Sequence, residues 1–153
     1  MKPPYKTMPG LAVAAIASLS FLGCGSDGGE TSPALSRAQL TNKVNQICTK
    51  QLEEKEEILS VSLKKLSDGG ATPSGQEVED LVQSLLPPFQ HMSEELSELP
   101  ASEEDEEAVE DFAAALDAGV EKVEADPGRF AKSNPFEAAG KVALENGFKA
   151  CSL

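Results

Sequence analysis

His91 is the only histidine, and it stands three and four residues before Glu94 and Glu95. On a helix that spacing puts two metal ligands on one face. A zinc site takes three or four ligands, mostly Cys and His. The sequence supplies no second histidine, so His91 reads as an exposed, solvated side chain. Glu103-Glu104-Asp105-Glu106-Glu107 offers carboxylates in a row. Calcium, however, takes about six to eight oxygens converging from a turn, whereas a helix splays consecutive side chains outward. Nucleophilic catalysis needs a base beside the nucleophile, and no serine occupies a G-x-S-x-G elbow. Gly69-Gly70 follows an apolar periodic stretch instead of opening one, so it is not a phosphate-binding loop. With 26 acidic residues in the chain, carboxylate pairs can be chosen at will and carry no weight. The expectation is a protein that is not an enzyme and has no metal site and no cofactor.

The three cysteines, Cys24, Cys48 and Cys151, are more informative. Lys2 and Lys6 precede a run of apolar or small residues from Leu11 to Leu22; Gly23 and Cys24 follow, and the composition then turns to GSDGGETSP. A basic start, a short apolar run and a small residue at the cut make a secretory signal peptide. The run is too short to span a bilayer, which takes ~20 residues. Phe21-Leu22-Gly23-Cys24 resembles the lipobox of bacterial lipoproteins. That resemblance implies cleavage after Gly23, a diacylglycerol on the Cys24 thiol and attachment to the outer face of the cytoplasmic membrane. Residues 1–23 are then the signal peptide, 24–35 the lipidated cysteine and a flexible tether, and 36–153 the folded domain. With Cys24 taken, Cys48 and Cys151 remain as an even pair in an oxidising compartment. A bridge between them would close a loop of about 100 residues and, in the chain-entropy picture, stabilise by up to ~4.7 kcal/mol. It requires Cα atoms within ~7 Å, which spacing along the chain does not set; two buried, unpaired thiols in neighbouring layers are the alternative.

Charge narrows the partners. The formal charge is −13 at pH 7, and removal of Lys2 and Lys6 with the signal takes it to −15. Such a surface repels nucleic acid and anionic headgroups and favours cations or a basic partner. Acidity also keeps an exported protein soluble, which is the plainer account of it.

Helices must position these residues. The first is expected from about Arg37 to Leu66. Ser36 and Gln39 form a capping box before it, and Leu40, Val44, Ile47, Cys48, Leu52, Leu59, Leu63 and Leu66 recur at helical spacing. Cys48 lies on that stripe and should face the core. A second helix opens after Ser74, with Glu77 completing its box, and carries Val78, Leu81, Val82, Leu85 and Leu86. Pro87-Pro88 should break or kink it, although the stripe keeps phase through Phe89, Met92, Leu96 and Leu99. A third begins after Ser102, its acidic first turn complementing the helix dipole, with Val109, Phe112, Leu116, Val120 and Val123 as its seam. Asn134 and Pro135 open a fourth, carrying Phe136, Ala139, Gly140, Ala143 and Leu144, and Asn146-Gly147 stops it. With no alternating strand pattern, the fold class expected is all-α: a single antiparallel bundle of about four helices, the second kinked or broken at Pro87-Pro88, stapled by one disulfide.

Arg37–Cys48, with Asn45-Gln46-Ile47-Cys48 at its end, resembles the first helix of a group of small, uncharacterised actinobacterial lipoproteins and secreted proteins. Leu86-Pro87-Pro88 at mid-chain and Gly147-Phe148-Lys149-Ala150-Cys151 near the end extend the likeness. It implies a helical fold and a Cys48–Cys151 pair, and supplies no activity. The functional expectation is a membrane-anchored extracytoplasmic lipoprotein acting as a non-enzymatic interaction or ligand-binding module. Its partner would be a protein or a small apolar ligand. An acidic envelope protein that binds or buffers cations is the alternative.

Overall fold

The computed structural model describes residues 33–68, 70, 72–131 and 133–153. The expected signal peptide with its cut after Gly23, the lipid-bearing Cys24 and the tether as far as residue 32 lie outside the described residues. The described residues are helical, with no strand among them. Five α-helices follow in order: α1 Arg37–Asp68, α2 Gly75–Ser84, α3 Pro87–Ser97, α4 Glu103–Ala125 and α5 Glu137–Glu145. Two 3-10 turns, Pro127–Ala131 and Lys149–Cys151, follow α4 and α5.

Local chemistry sets most of the boundaries. Before α1, the Ser36 N–H and hydroxyl both donate to the Gln39 carbonyl oxygen, at 3.0 and 2.7 Å, so the box closes from the glutamine side. Just past the end of α1, Gly70 takes a positive φ of 62°, a conformation that costs glycine little. Ser74 and Glu77 form the complete capping box of α2. The Ser74 backbone N–H, followed by its hydroxyl, holds the Glu77 carboxyl below the usual range. The expected second helix is realised as α2 and α3. Pro87 and Pro88 occupy the first positions of α3, where a missing N–H costs nothing because no intrahelical acceptor precedes it. Asn134 starts an Asx turn, its side-chain oxygen accepting from the Phe136 N–H at 2.9 Å. Regular helix therefore begins at Glu137, with Phe136 as cap, two residues later than Asn134 suggests. At the far end Phe148 N–H donates to Ala143 O at 2.8 Å and Gly147 N–H to Leu144 O at 3.1 Å. With Gly147 at φ 77°, this is a Schellman stop, and it carries Phe148 back into the core.

One core runs through these elements. Leu40, Val44, Ile47 and Cys48 of α1 meet Phe89, Met92 and Leu96 of α3, the seam of α4 from Val109 to Val123, Ala139 and Ala143 of α5, and Phe148 and Cys151. α4 packs along α3 and α5, and α1 along α3 and the final 3-10 turn. Phe136 stacks on Phe89 with ring centroids 3.9 Å apart. It also packs against Gly119, where any Cβ would overlap its ring. Burying side chains of this size stabilises by roughly 1.5–3 kcal/mol each.

The stripe of α1 is shorter than its periodicity suggests. Its last buried residue is Gln51. Leu59 and Leu66 are half-buried, and Leu63 is 50% exposed. Hydrophobic spacing shows which side of a helix is apolar but not what lies opposite. Beyond Leu52, α2 lies beside the helix near Ser62, Lys65 and Leu66, and α2 itself buries just Val82 and leaves Val78 42% exposed.

Candidate functional site

The residues expected to carry chemistry fall into three places. Cys48, on the buried side of α1, and Cys151, in the last 3-10 turn, come to bonding distance with Cα atoms 5.2 Å apart across 103 residues of sequence. Both are fully buried, and the Met92 thioether sulfur lies 3.7 Å from Cys48 Sγ. One turn earlier on α1, the Asn45 side-chain oxygen accepts from the Ala150 N–H at 2.9 Å. The Asn45-to-Cys48 stretch thus grips the Ala150-Cys151 stretch at two points. One is a hydrogen bond to an otherwise orphaned backbone donor, and the other is the cysteine pair.

A polar clasp closes the same end of the molecule. Arg37, at the start of α1, donates to Asp105 at 2.6 Å and to the Asn146 carbonyl at 2.8 Å. Its guanidinium lies 5.7 Å from the centre of the Phe148 ring, within cation–π range. Asp105 is buried, and its second oxygen accepts from the Ser102 hydroxyl at 3.1 Å. One arginine therefore joins the first turn of α4, where a carboxylate also meets the helix dipole, to the last carbonyls of α5. Arg37 and Asn45 enter the sequence reading only as a helix start and as positions in the Arg37–Cys48 resemblance, and Asp105 only as one of five consecutive acids; none is marked there for these contacts. The available signal was position: Asp105 stands four residues before Val109, on the seam of α4, whereas its four acidic neighbours are exposed.

His91 is exposed on α3. It borders a shallow groove with Glu94, Glu98 and Asp117. Glu95 turns the other way, accepting from Lys50 and from Gln51, each at 2.6 Å. The Lys50 hydrogen bond, which outweighs the opposing effect of burial, holds the Glu95 carboxyl below its usual range. Gln51 is itself buried and its side-chain carbonyl oxygen has no hydrogen-bond partner. No three His, Cys, Asp or Glu side chains among the described residues are grouped to hold a metal ion. A larger groove of about 780 Å³ runs beside α5, between Lys122, Asn134, Lys141 and Leu144. No helix among the described residues is long and apolar enough to cross a membrane. Comparison with family models, curated proteins and solved structures finds no match to this chain.

Proposed function

We propose that the chain is a bacterial lipoprotein, exported by residues 1–23, cut after Gly23 and anchored through Cys24 to the outer face of the cytoplasmic membrane. Beyond the tether, its helices form a single antiparallel bundle stapled by a Cys48–Cys151 disulfide. Short connections between neighbouring helices favour the up-and-down arrangement. The bundle serves as a non-enzymatic interaction or binding module. The observation that carries this reading is the cysteine pair. Two fully buried cysteines with Cα atoms 5.2 Å apart suit a bridge that persists in an oxidising, extracytoplasmic compartment. That leaves Cys24 as the odd cysteine, directly after the apolar run.

The charged groups that reach furthest inward support binding over catalysis. Asp105 is held by Arg37, and Glu95 by Lys50 and Gln51. Each is tied up in joining two helices. The test is the mass and location of the protein taken from cells. The wild type is expected in the membrane fraction, beginning at Cys24 and heavier than its peptide mass by a diacylglycerol. Cys24→Ala should leave that fraction or remain uncut. A mature wild type of bare peptide mass would overturn the proposal.

A further inference from the structure

We propose that Asn146-Gly147 is a latent deamidation site, shut while the turn after α5 is seated in the core and attacked once that turn lets go. The inference goes beyond the proposed function and holds whether or not Cys24 carries lipid. The reaction starts within the chain. Hydroxide takes the proton of the Gly147 backbone nitrogen, which attacks the side-chain carbonyl carbon of Asn146. A carbon–nitrogen bond forms and closes a five-membered imide. The bond to Nδ2 breaks, and that nitrogen takes a proton from water and leaves as ammonia. Water then opens the imide at either carbonyl, giving aspartate or isoaspartate. One water is consumed, one ammonia is released and nothing is oxidised or reduced. Glycine favours the attack because no Cβ stands beside its nitrogen. Asn146 is the only asparagine in the sequence followed by glycine; Asn42 precedes lysine, Asn45 glutamine and Asn134 proline.

The fold holds each reacting group away from the other. Asn146 Nδ2 donates to the Val142 carbonyl at 3.0 Å, which turns the carboxamide back along α5 and away from Gly147. The Gly147 N–H is committed to Leu144 O at 3.1 Å. Asn146 keeps φ −94° and ψ 5°, and the attack needs a rotation about ψ that brings the Gly147 nitrogen over the side-chain carbon. That rotation also swings the Asn146 carbonyl, which Arg37 of α1 holds at 2.8 Å. Fully buried Phe148 anchors the chain on the other side. Asn146 itself is only half-buried, so water and hydroxide reach it as soon as the turn opens, and helix ends open at less cost than the whole domain. The products do not fit back. Isoaspartate carries the main chain through the side-chain carbon, and the added backbone atom breaks the register of the Schellman bonds. Either product also places a carboxylate at the negative end of the α5 dipole. One opening therefore becomes permanent, and it loosens the neighbouring bond from Ala150 N–H to Asn45.

The test is a time course of the exported protein in mildly alkaline buffer. Peptide mass spectrometry follows the amide-to-acid mass gain at Asn146, with Asn42 and Asn45 as comparisons in the same chain. In denaturant Asn146 should convert first, and Gly147→Ala should suppress it there. Reclosing outpaces the chemistry, so the folded rate follows the open fraction of the turn. The folded wild type should therefore convert at least roughly a hundredfold more slowly than the denatured chain, and folded Arg37→Ala roughly tenfold faster than the wild type. Val82→Ala weakens the core at α2, away from this turn, and should leave the folded rate near that of the wild type. Isoaspartyl protein, separated by ion exchange, should have lost amide hydrogen-exchange protection at Phe148 and Ala150. A folded wild type that converts as fast as the denatured chain would overturn the proposal. So would an Arg37→Ala protein no faster than the wild type, an equal acceleration by Val82→Ala, or an isoaspartyl form that keeps its protection. Cys24→Ala changes none of these readings, so this proposal and the lipoprotein reading fail separately.

Discussion

Arg37 and Asp105 show how much one exposed–buried pair can organise. The arginine side chain is 47% exposed and the carboxylate 12%. Removing Arg37 therefore strands a nearly buried charge, whereas removing both leaves little uncompensated. Arg37→Ala should destabilise by about 1–3 kcal/mol and Asp105→Ala by a similar amount, with the double variant well short of the sum. Urea denaturation of the four proteins checks it, and strict additivity would remove the pair's role. Glu95 makes a prediction with a sign. Its folded-state carboxyl is held low, chiefly by Lys50, so its contribution is present above the unfolded-state value and is lost as pH falls through the lower folded one. Glu95→Gln should flatten the fall in stability between roughly pH 5 and 3. The effect is small, because Lys50 is 63% exposed and water screens the pair. A denaturation series across that range with unchanged slope would exclude it. Cys48 was legible in the sequence because a small apolar residue on a helical stripe points inward. Asp105 was not, because a run of five acids disguises the one that stands on the seam. Arg37 was hidden for another reason: its partners lie 68 and 109 residues away, and local spacing carries no trace of them.

Caps, breaks and stops were the readable part of the elements. Pro87-Pro88, Ser74 with Glu77, and Asn146-Gly147 all act through neighbours within a few residues, and each marks a helix end. Ser102 departs from the pattern for a tertiary reason. Its hydroxyl turns to Asp105 and makes no cap hydrogen bond. How much of the α1 stripe is covered does not follow from its spacing, since periodicity is identical whether or not another helix lies opposite. These differences set where the elements are weakest. α2 buries only Val82 within its span, so its local stability leans on its cap. Ser74→Ala should cost ~1 kcal/mol and speed hydrogen exchange across α2 by about fivefold. The global unfolding midpoint should move much less, because α2 adds little to the core. Equal acceleration in α4 would show instead that the two helices open together. The joint between α4 and the start of α5 is tight by contrast. Gly119→Ala gains ~1 kcal/mol of helix propensity but drives a methyl into the Phe136 ring, and overpacking costs about 1–3 kcal/mol. A net loss is expected, relieved in combination with Phe136→Leu. A more stable Gly119→Ala protein by thermal melting would mean that the ring moves aside freely.

At the scale of the whole molecule, the pairing of the two chain regions furthest apart is what makes the helices one body. α1 supplies Asn45 and Cys48, the last 3-10 turn supplies Ala150 and Cys151, and Arg37 clasps α4 and α5 beside them. The cysteine link spans 103 residues, nearly the whole folded region. Constraining a loop of that length removes unfolded-state entropy worth up to ~4.7 kcal/mol, with 2–4 kcal/mol the usual yield. That is a large share of the 5–15 kcal/mol typical of a domain. Cys48→Ser with Cys151→Ser should therefore lower the melting temperature by at least about 5 °C. The loss has two parts, and they can be separated. Reducing the wild type with a thiol removes only the constraint, whereas serine also places hydroxyls in a fully buried site next to Met92, where an unsatisfied polar group costs a further ~1–3 kcal/mol. The reduced wild type should therefore melt between the oxidised protein and the double serine variant, and Cys48→Ala with Cys151→Ala should fall near the reduced wild type. Thiol titration of protein exported and purified without reductant should find neither Cys48 nor Cys151 reactive after denaturation. Two titratable thiols from these positions, together with a melting temperature indifferent to reductant, would leave Asn45 and Arg37 as the groups that hold the ends together.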